Sequence, residues 1–176
     1  MDQLQIHQIT SPNDQFFDEF WLVYNASFPH NEKRTLEQQT DVFKKPECRL
    51  KVFISDNHVW GFISFWTTDG FIFIEHLAVA PEFRNRGLGK TILKPFVESY
   101  SKPIILEIEF PVYNLTIGRL HFYESLGFQL NEHEHSQPPY HTEDEPVPMK
   151  ILSYKKVISD ADYQQFKRFQ NEIVMG

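Results

Sequence analysis

Between Phe71 and Lys94 the chain reads FIFIEHLAVAPEFRNRGLGKTILK: an apolar strand passes through a short basic, glycine-containing turn directly into a helix. This order of elements builds an anion site. The first amide groups of a helix have no intrahelical acceptor and lie at the positive end of the helix dipole. Glycines at Gly87 and Gly89 let a phosphate approach that backbone with no Cβ in the way. Arg84 and Arg86 add positive charge from the side. The next apolar run, Ile104 to Glu109, has the spelling of a buried parallel strand. The segment therefore also predicts a right-handed βαβ crossover.

The spelling of the turn selects among phosphate sites. Gly89-Lys90-Thr91 matches the end of a P-loop, but the first glycine of that pattern would fall at Arg84, and no acidic strand end is suited to hold magnesium. The dinucleotide pattern G-x-G-x-x-G fails because no third glycine follows. What remains is [RQ]-x-x-G-x-[GA] after Leu77-Ala78-Val79. Downstream, Arg119-Leu120-His121-Phe122-Tyr123-Glu124-Ser125-Leu126-Gly127-Phe128 carries F-Y-E-x-L-G-F. The two motifs, in order and separated by a helix and a strand, resemble the GCN5-related N-acetyltransferases (GNAT), well over about residues 48–130 and loosely before that.

The resemblance implies an α/β (α+β) fold with a mixed, splayed sheet of six to seven strands flanked by helices. It also implies acetyl-CoA as acyl donor. The cofactor would lie along Leu77, Ala78 and Val79 and on Arg84, Asn85, Arg86, Gly87, Leu88, Gly89 and Lys90. Asn114 is a candidate for the pantetheine arm because relatives often begin this helix with asparagine, although the family's spacing to the tyrosine falls on Thr116. Tyr123 occupies the place of the family's acid. A phenol of pKa about 10 stays protonated at neutral pH and can donate as the C–S bond breaks. An amine of pKa about 10.4 must lose a proton before it attacks, and Glu107 and Glu75 are the candidate bases. Glu107 matches a position used by relatives that modify protein N-termini. Glu75, two residues before Leu77, is expected on Leu77's face of the strand. The implied activity is direct transfer of an acetyl group to an amine, and a non-catalytic acyl-CoA-binding module is the alternative.

Composition bounds the partners. A chain of 176 residues with 41% hydrophobic content suits one compact domain, taken as residues 1–155, followed by a helix at 156–176 that packs on it or joins a homodimer through Tyr163, Phe166, Phe169 and Ile173. The net charge of -7 opposes a nucleic-acid backbone and suits a small-molecule or peptide amine. There is neither a membrane-length apolar run nor a signal peptide, and Cys48 has no internal disulfide partner, so a cytoplasmic location is expected, with no membrane contact. Cys48 reads as a packed thiol. Among His133, His135 and His141, the H-x-H pair could face a metal, but the surrounding polar loop, Asn131 to Pro148, favours solvated histidines and no metal is expected. Phe28 to Arg34 and Pro138 to His141 are the candidate walls of the acceptor pocket.

Overall fold

A computed structural model describes residues 4–176. The chain order is β1 (Gln5–Ile9), α1 (Phe17–Ser27), α2 (Leu36–Val42), β2 (Cys48–Ser55), β3 (His58–Thr67), β4 (Ile72–Val79), α3 (Leu88–Glu98), β5 (Ile104–Glu109), α4 (Asn114–Glu124), β6 (Phe128–Leu130), β7 (His135–Gln137), β8 (Val147–Tyr154) and α5 (Asp160–Phe169). The strands form one sheet in the order β1-β2-β3-β4-β5-β8-β6, with β7 also paired to β8. The eight strands exceed the expected six to seven because β7 lies inside the polar stretch read as a loop. Three residues are too few to show alternation.

From β1 to β4 the sheet is an antiparallel meander. Asp56 and Asn57, both at positive φ (51° and 63°), turn β2 back into β3, a conformation that short polar side chains tolerate. β4 and β5 are parallel, joined through α3, and their register covers only Ile72 to Ile74 against Ile104 to Leu106. Beyond those residues the strands part. Glu75 and Glu107 are thus the first residues past the split on their respective strands.

Strand alternation divides the apolar side chains between two faces. On one, Ile63, Phe65, Ile72, Ile74, Leu106 and Ile108 pack with Ile92, Leu93 and Phe96 of α3 and Tyr123 of α4. On the other, Leu50, Val52 and Phe62 meet Phe17, Phe20 and Tyr24 of α1. Phe73, Ile105 and Ile151 on that same face meet Tyr163 and Phe166 of α5. The aromatic stripe of α1 is core, with Phe20 and Phe62 edge-to-face at 4.9 Å. The N-terminus of α5 is set by Ser159 and Asp162, whose side chains reciprocally cap each other's amides. The helix then runs into a π-helical turn, Gln170–Val174.

Candidate active site

A cleft of about 920 Å³ opens where β4 and β5 separate. That size suits a large cofactor together with a second substrate. Leu77, Ala78, Val79, Arg84, Asn85, Gly87, Leu88, Gly89 and Lys90 line one end of it, and Glu107, Asn114 and Tyr123 also reach it. On the β5 side the backbone of β4 beyond Ile74 has no strand partner, which leaves main-chain groups available to a bound ligand.

The basic turn is shaped by local chemistry. Asn85 (φ 62°) and Gly87 (φ 77°) adopt the left-handed conformation, and Gly87 is the N-cap of α3 without a side-chain cap. The first α3 amides therefore face the cleft uncapped. A Cβ at Gly87 would meet open space, whereas one at Gly89 would lie 3.2 Å from the Phe122 ring. Gly87 serves the turn and Gly89 the close approach of α3 to α4. The Arg84 guanidinium donates from Nε to the Val79 carbonyl at 3.0 Å and from Nη2 to Ser27 Oγ at 3.0 Å, tying the turn to β4 and α1. Arg86 lies over the Phe83 ring at 5.7 Å and is not among the lining side chains. Asn114 opens α4 at the cleft. The Thr116 hydroxyl is occupied by the Tyr113 backbone, accepting from its amide and donating to its carbonyl.

Tyr123 is 9% exposed, and its hydroxyl has no hydrogen bond among the described residues. Burial pushes the phenol up to about 12, only partly offset by the Arg119 guanidinium. The phenol therefore stays protonated at neutral pH.

The two candidate bases differ sharply. The Glu75 carboxylate lies 2.7 Å from Arg34 Nη1, with both side chains almost wholly buried (2% and 3% exposed). It also accepts from Trp66 Nε1 and from the Tyr140 hydroxyl, each at 2.7 Å. Burial alone would raise its pKa, but Arg34, His76 and the donated hydrogen bonds outweigh burial and hold it at about 2. Its expected place on Leu77's face is corrected. The β3–β4 register slips between Ser64 and Phe65, so Ser64 pairs with His76 and Phe65 with Ile74, leaving Glu75 as the extra residue of a β-bulge. Leu77 packs with the α3 core, while Glu75 and His76 turn to the opposite face. There the His76 ring donates from Nε2 to the Glu32 carbonyl at 2.8 Å.

Glu107 sits past the split on β5 with its side chain 9% exposed. His135 Nε2, fully buried, donates to its Oε1, and Gln170 Nε2 donates to the same oxygen at 2.8 Å. Oε2 has no partner among the described residues. The far nitrogen of His135, Nδ1, lies 3.0 Å from the Tyr163 hydroxyl, which also donates to the Glu134 carbonyl at 2.9 Å. Sequence reasoning missed His135 and Gln170 as partners of Glu107. The one available signal was an H-x-H pair in a polar loop, and it pointed to metal or solvent.

The remaining candidates fall into place around these groups. His133 pairs with Asp160 at 3.0 Å, and His135 is held by Glu107, so the H-x-H pair does not converge on an ion. His30, His141 and Glu143 have ligand atoms within 4.8 Å of one another, but the two rings stack at 13° between planes. An ion must lie in the plane of each imidazole that binds it, and nearly parallel planes do not meet there. Of the stretches expected to wall an acceptor pocket, Phe28, Pro29 and Glu32 line the cleft, whereas Arg34 and Tyr140 belong to the buried shell of Glu75. Burial raises the Cys48 thiol to about 12, consistent with a packed side chain.

The sequence matches the acetyltransferase (GNAT) family over residues 13–128. The chain belongs to the GNAT family. It is 32% identical over 114 residues to YjbC of Bacillus subtilis, which carries an acetyltransferase name; the match covers 63% of this chain and 53% of YjbC, so the chain spans about half the length of that relative. A GNAT-family structure from Bacteroides thetaiotaomicron superposes with a TM-score of 0.89 at 31% identity, covering 98% of each chain. At the level of fold alone, the chain also resembles an Elizabethkingia anophelis GNAT acetyltransferase with acetyl-CoA bound (TM-score 0.59, 18% identity, 89% of this chain and 100% of that one). The ribosomal-protein-S18-alanine N-acetyltransferase of Escherichia coli is a further fold relative (TM-score 0.65, 14% identity, 90% and 97%). The open, mixed sheet with its splayed centre is the GNAT fold. No helix among the described residues is long and apolar enough to cross a membrane.

Proposed function

We propose that this GNAT protein is an acetyl-CoA-dependent N-acetyltransferase that moves the acetyl group directly to an amine, with Glu107 as the base and Tyr123 as the proton donor. One observation carries the reading: the uncapped turn before α3, Glu107 and Tyr123 all line the cleft opened by the β4–β5 split. The pyrophosphate would meet the amides from Gly87 to Gly89, with Lys90 beside them, and the pantetheine amides would bond the unpaired edge of Leu77 to Val79. Asn114, at the start of α4, would meet the same arm.

Glu107 Oε2 attracts the ammonium group of the acceptor and takes a proton from it. The freed nitrogen attacks the thioester carbonyl, whose oxygen gains negative charge near the β4 amides. As the C–S bond breaks, Tyr123 donates toward sulfur. The nitrogen's second proton replaces the one Tyr123 gave up and the first leaves Glu107 for solvent, so the products are an amide, a thiol and a proton. Because the phenol is held at about 12, well above the about 8.5 of a thiol, tyrosinate does not accumulate. Glu32 and Glu109 share the acceptor end of the cleft with Glu107, and Glu109 is paired with Arg119. The acidic lining supports a cationic acceptor, a small-molecule or peptide amine.

The test is release of CoA thiol from acetyl-CoA across a panel of small amines and peptides. Acceptor-dependent turnover is expected, reduced about 10²-fold or more in Tyr123→Phe with the Kd for CoA unchanged. Tight CoA binding without turnover on any acceptor would favour a non-catalytic acyl-CoA-binding module. Gly87→Glu should abolish CoA binding: the position opens to solvent, but the substitution brings a negative charge to the site and strains the turn at φ 77°, so a thermal melt is read beside the affinity. Unchanged affinity would remove the turn from the cofactor site.

A further inference from the structure

The two protein donors on Glu107 converge on one oxygen. His135 Nε2 and Gln170 Nε2 both bond Oε1, leaving Oε2 without a hydrogen-bond partner among the described residues, and Glu107 itself lines the cleft. A glutamate just past a strand split would otherwise be free to turn about its last side-chain torsion, which is broad and roughly two-fold. Here that torsion is held from two directions. The imidazole is in turn fixed at its other nitrogen by the Tyr163 hydroxyl, and its plane is confined by the neighbouring Tyr163 and Phe166 rings.

Gln170 adds a second, independent sign. It is wholly buried, yet its own Oε1 has no hydrogen-bond partner among the described residues. An amide placed for stability alone would satisfy both ends; this one satisfies the end that faces the carboxylate. Gln170 also opens the π-helical turn after α5, an irregularity found disproportionately at functional sites. The last residue of that turn, Val174, accepts from Arg34 Nη2 at 3.0 Å. One turn therefore supports the carboxylate of Glu107 and the guanidinium that pairs with Glu75.

We propose that His135 and Gln170 are positioning residues for the Glu107 carboxylate, which makes the C-terminal segment from α5 through Val174 a working part of the active site. The proposal rests on Glu107 being the base. With Oε1 held, Oε2 is presented in one orientation to the acceptor amine. Displacement of a catalytic group by about 1 Å costs on the order of 10² in rate.

The experiment compares His135→Leu, His135→Gln, Gln170→Leu and Glu107→Gln in the full chain, reading kcat, the KM for acetyl-CoA and Tm. His135→Leu should lower kcat about 10²-fold and Gln170→Leu about tenfold, both with the KM for acetyl-CoA unchanged. His135→Gln, whose amide can still donate to Oε1, should recover most of the loss. Gln170→Leu removes an unpartnered buried acceptor together with the donor to Glu107 Oε1, two effects that oppose each other in stability, so Tm should change little while kcat falls, a split that a packing role would not produce. Should His135→Leu fail to fold, Gln170→Leu decides alone. If Glu107→Gln abolishes turnover while Gln170→Leu and any folded His135→Leu keep wild-type kcat, positioning is overturned and the base survives. If Glu107→Gln itself keeps full turnover, the base reading falls and the positioning proposal with it.

Discussion

Glu75 and Glu107 stand on neighbouring strands, each the first residue past the point where the strands part, and their surroundings make them different kinds of group. Glu75 also borders the cleft, but its side chain is almost wholly buried and Arg34, Trp66 and Tyr140 occupy its oxygens. Glu107 has its described donors, His135 and Gln170, on one oxygen and itself lines the cleft. A carboxylate whose two oxygens are both taken by buried donors has neither oxygen free for an incoming proton. Donors that leave one oxygen free fix its direction and keep it available. The contrast in partners is what supports a structural part for Glu75 and the proposed base role for Glu107.

The same substitution at both positions should separate the two roles. Glu107→Gln removes a proton acceptor from the cleft while keeping shape, so kcat should fall about 10²- to 10⁴-fold with Tm little changed. Steady-state kinetics together with a thermal melt read both quantities. Glu75→Gln leaves the buried Arg34 guanidinium without its counter-charge, a loss of about 3 to 5 kcal/mol in stability, measurable by urea unfolding. Its folded fraction should turn over within a few-fold of wild type. A Glu75→Gln protein that is stable and inactive would reverse the assignment.

What could be read from the residues in advance follows the range of the interactions. The shape of the basic turn was legible because its causes are local: a left-handed Gly87, an uncapped helix start and an apolar strand before it lie within a few residues. Tyr123 and the strand carrying Glu107 were legible through the spacing of two motifs. The partners of Glu107 were not, since His135 is 28 and Gln170 63 residues away in sequence, joined to it only by folding. The face of Glu75 was misjudged because strict alternation assumes an unbroken ladder. The bulge that turns it falls where no glycine or proline announces it. Arg34, read as the end of an acceptor wall running from Phe28, is instead buried against Glu75 and does not line the cleft.

Acid titration sharpens the comparison at intermediate size. The Glu75 carboxyl sits at about 2 in the folded chain against 4.5 for an ordinary one, because Arg34 and its hydrogen bonds outweigh the opposing effect of burial. Between those values the unfolded chain binds the extra proton and the folded chain does not. The stabilisation is therefore complete above about pH 4.5 and is lost as pH falls toward 2, on the order of 3 kcal/mol in total. Chemical denaturation at stepped pH should show this acid-side decline in the wild type and a much shallower one in Glu75→Gln. Equal slopes would mean that the pair is not the main acid-labile element.

The smallest expected effect is the most discriminating. A buried ion pair gains Coulomb energy but loses the hydration of two charges, so replacing both partners by apolar side chains of similar volume is often near neutral. In the double variant Arg34→Met/Glu75→Leu the uncompensated charge that ruins the single variant is absent. The neighbouring Trp66 and Tyr140 rings, which already flank the guanidinium at 5.7 and 5.2 Å, can pack against the thioether. Trp66 Nε1, the Tyr140 hydroxyl and the Val174 carbonyl lose partners, which limits the recovery. Stability within about 2 kcal/mol of wild type is expected, with kcat retained within a few-fold, because Glu107 and its donors are untouched. A double variant that folds, binds CoA and still loses kcat by about 10² or more would show that Glu75 contributes to proton transfer, and the division between the two glutamates would have to be redrawn.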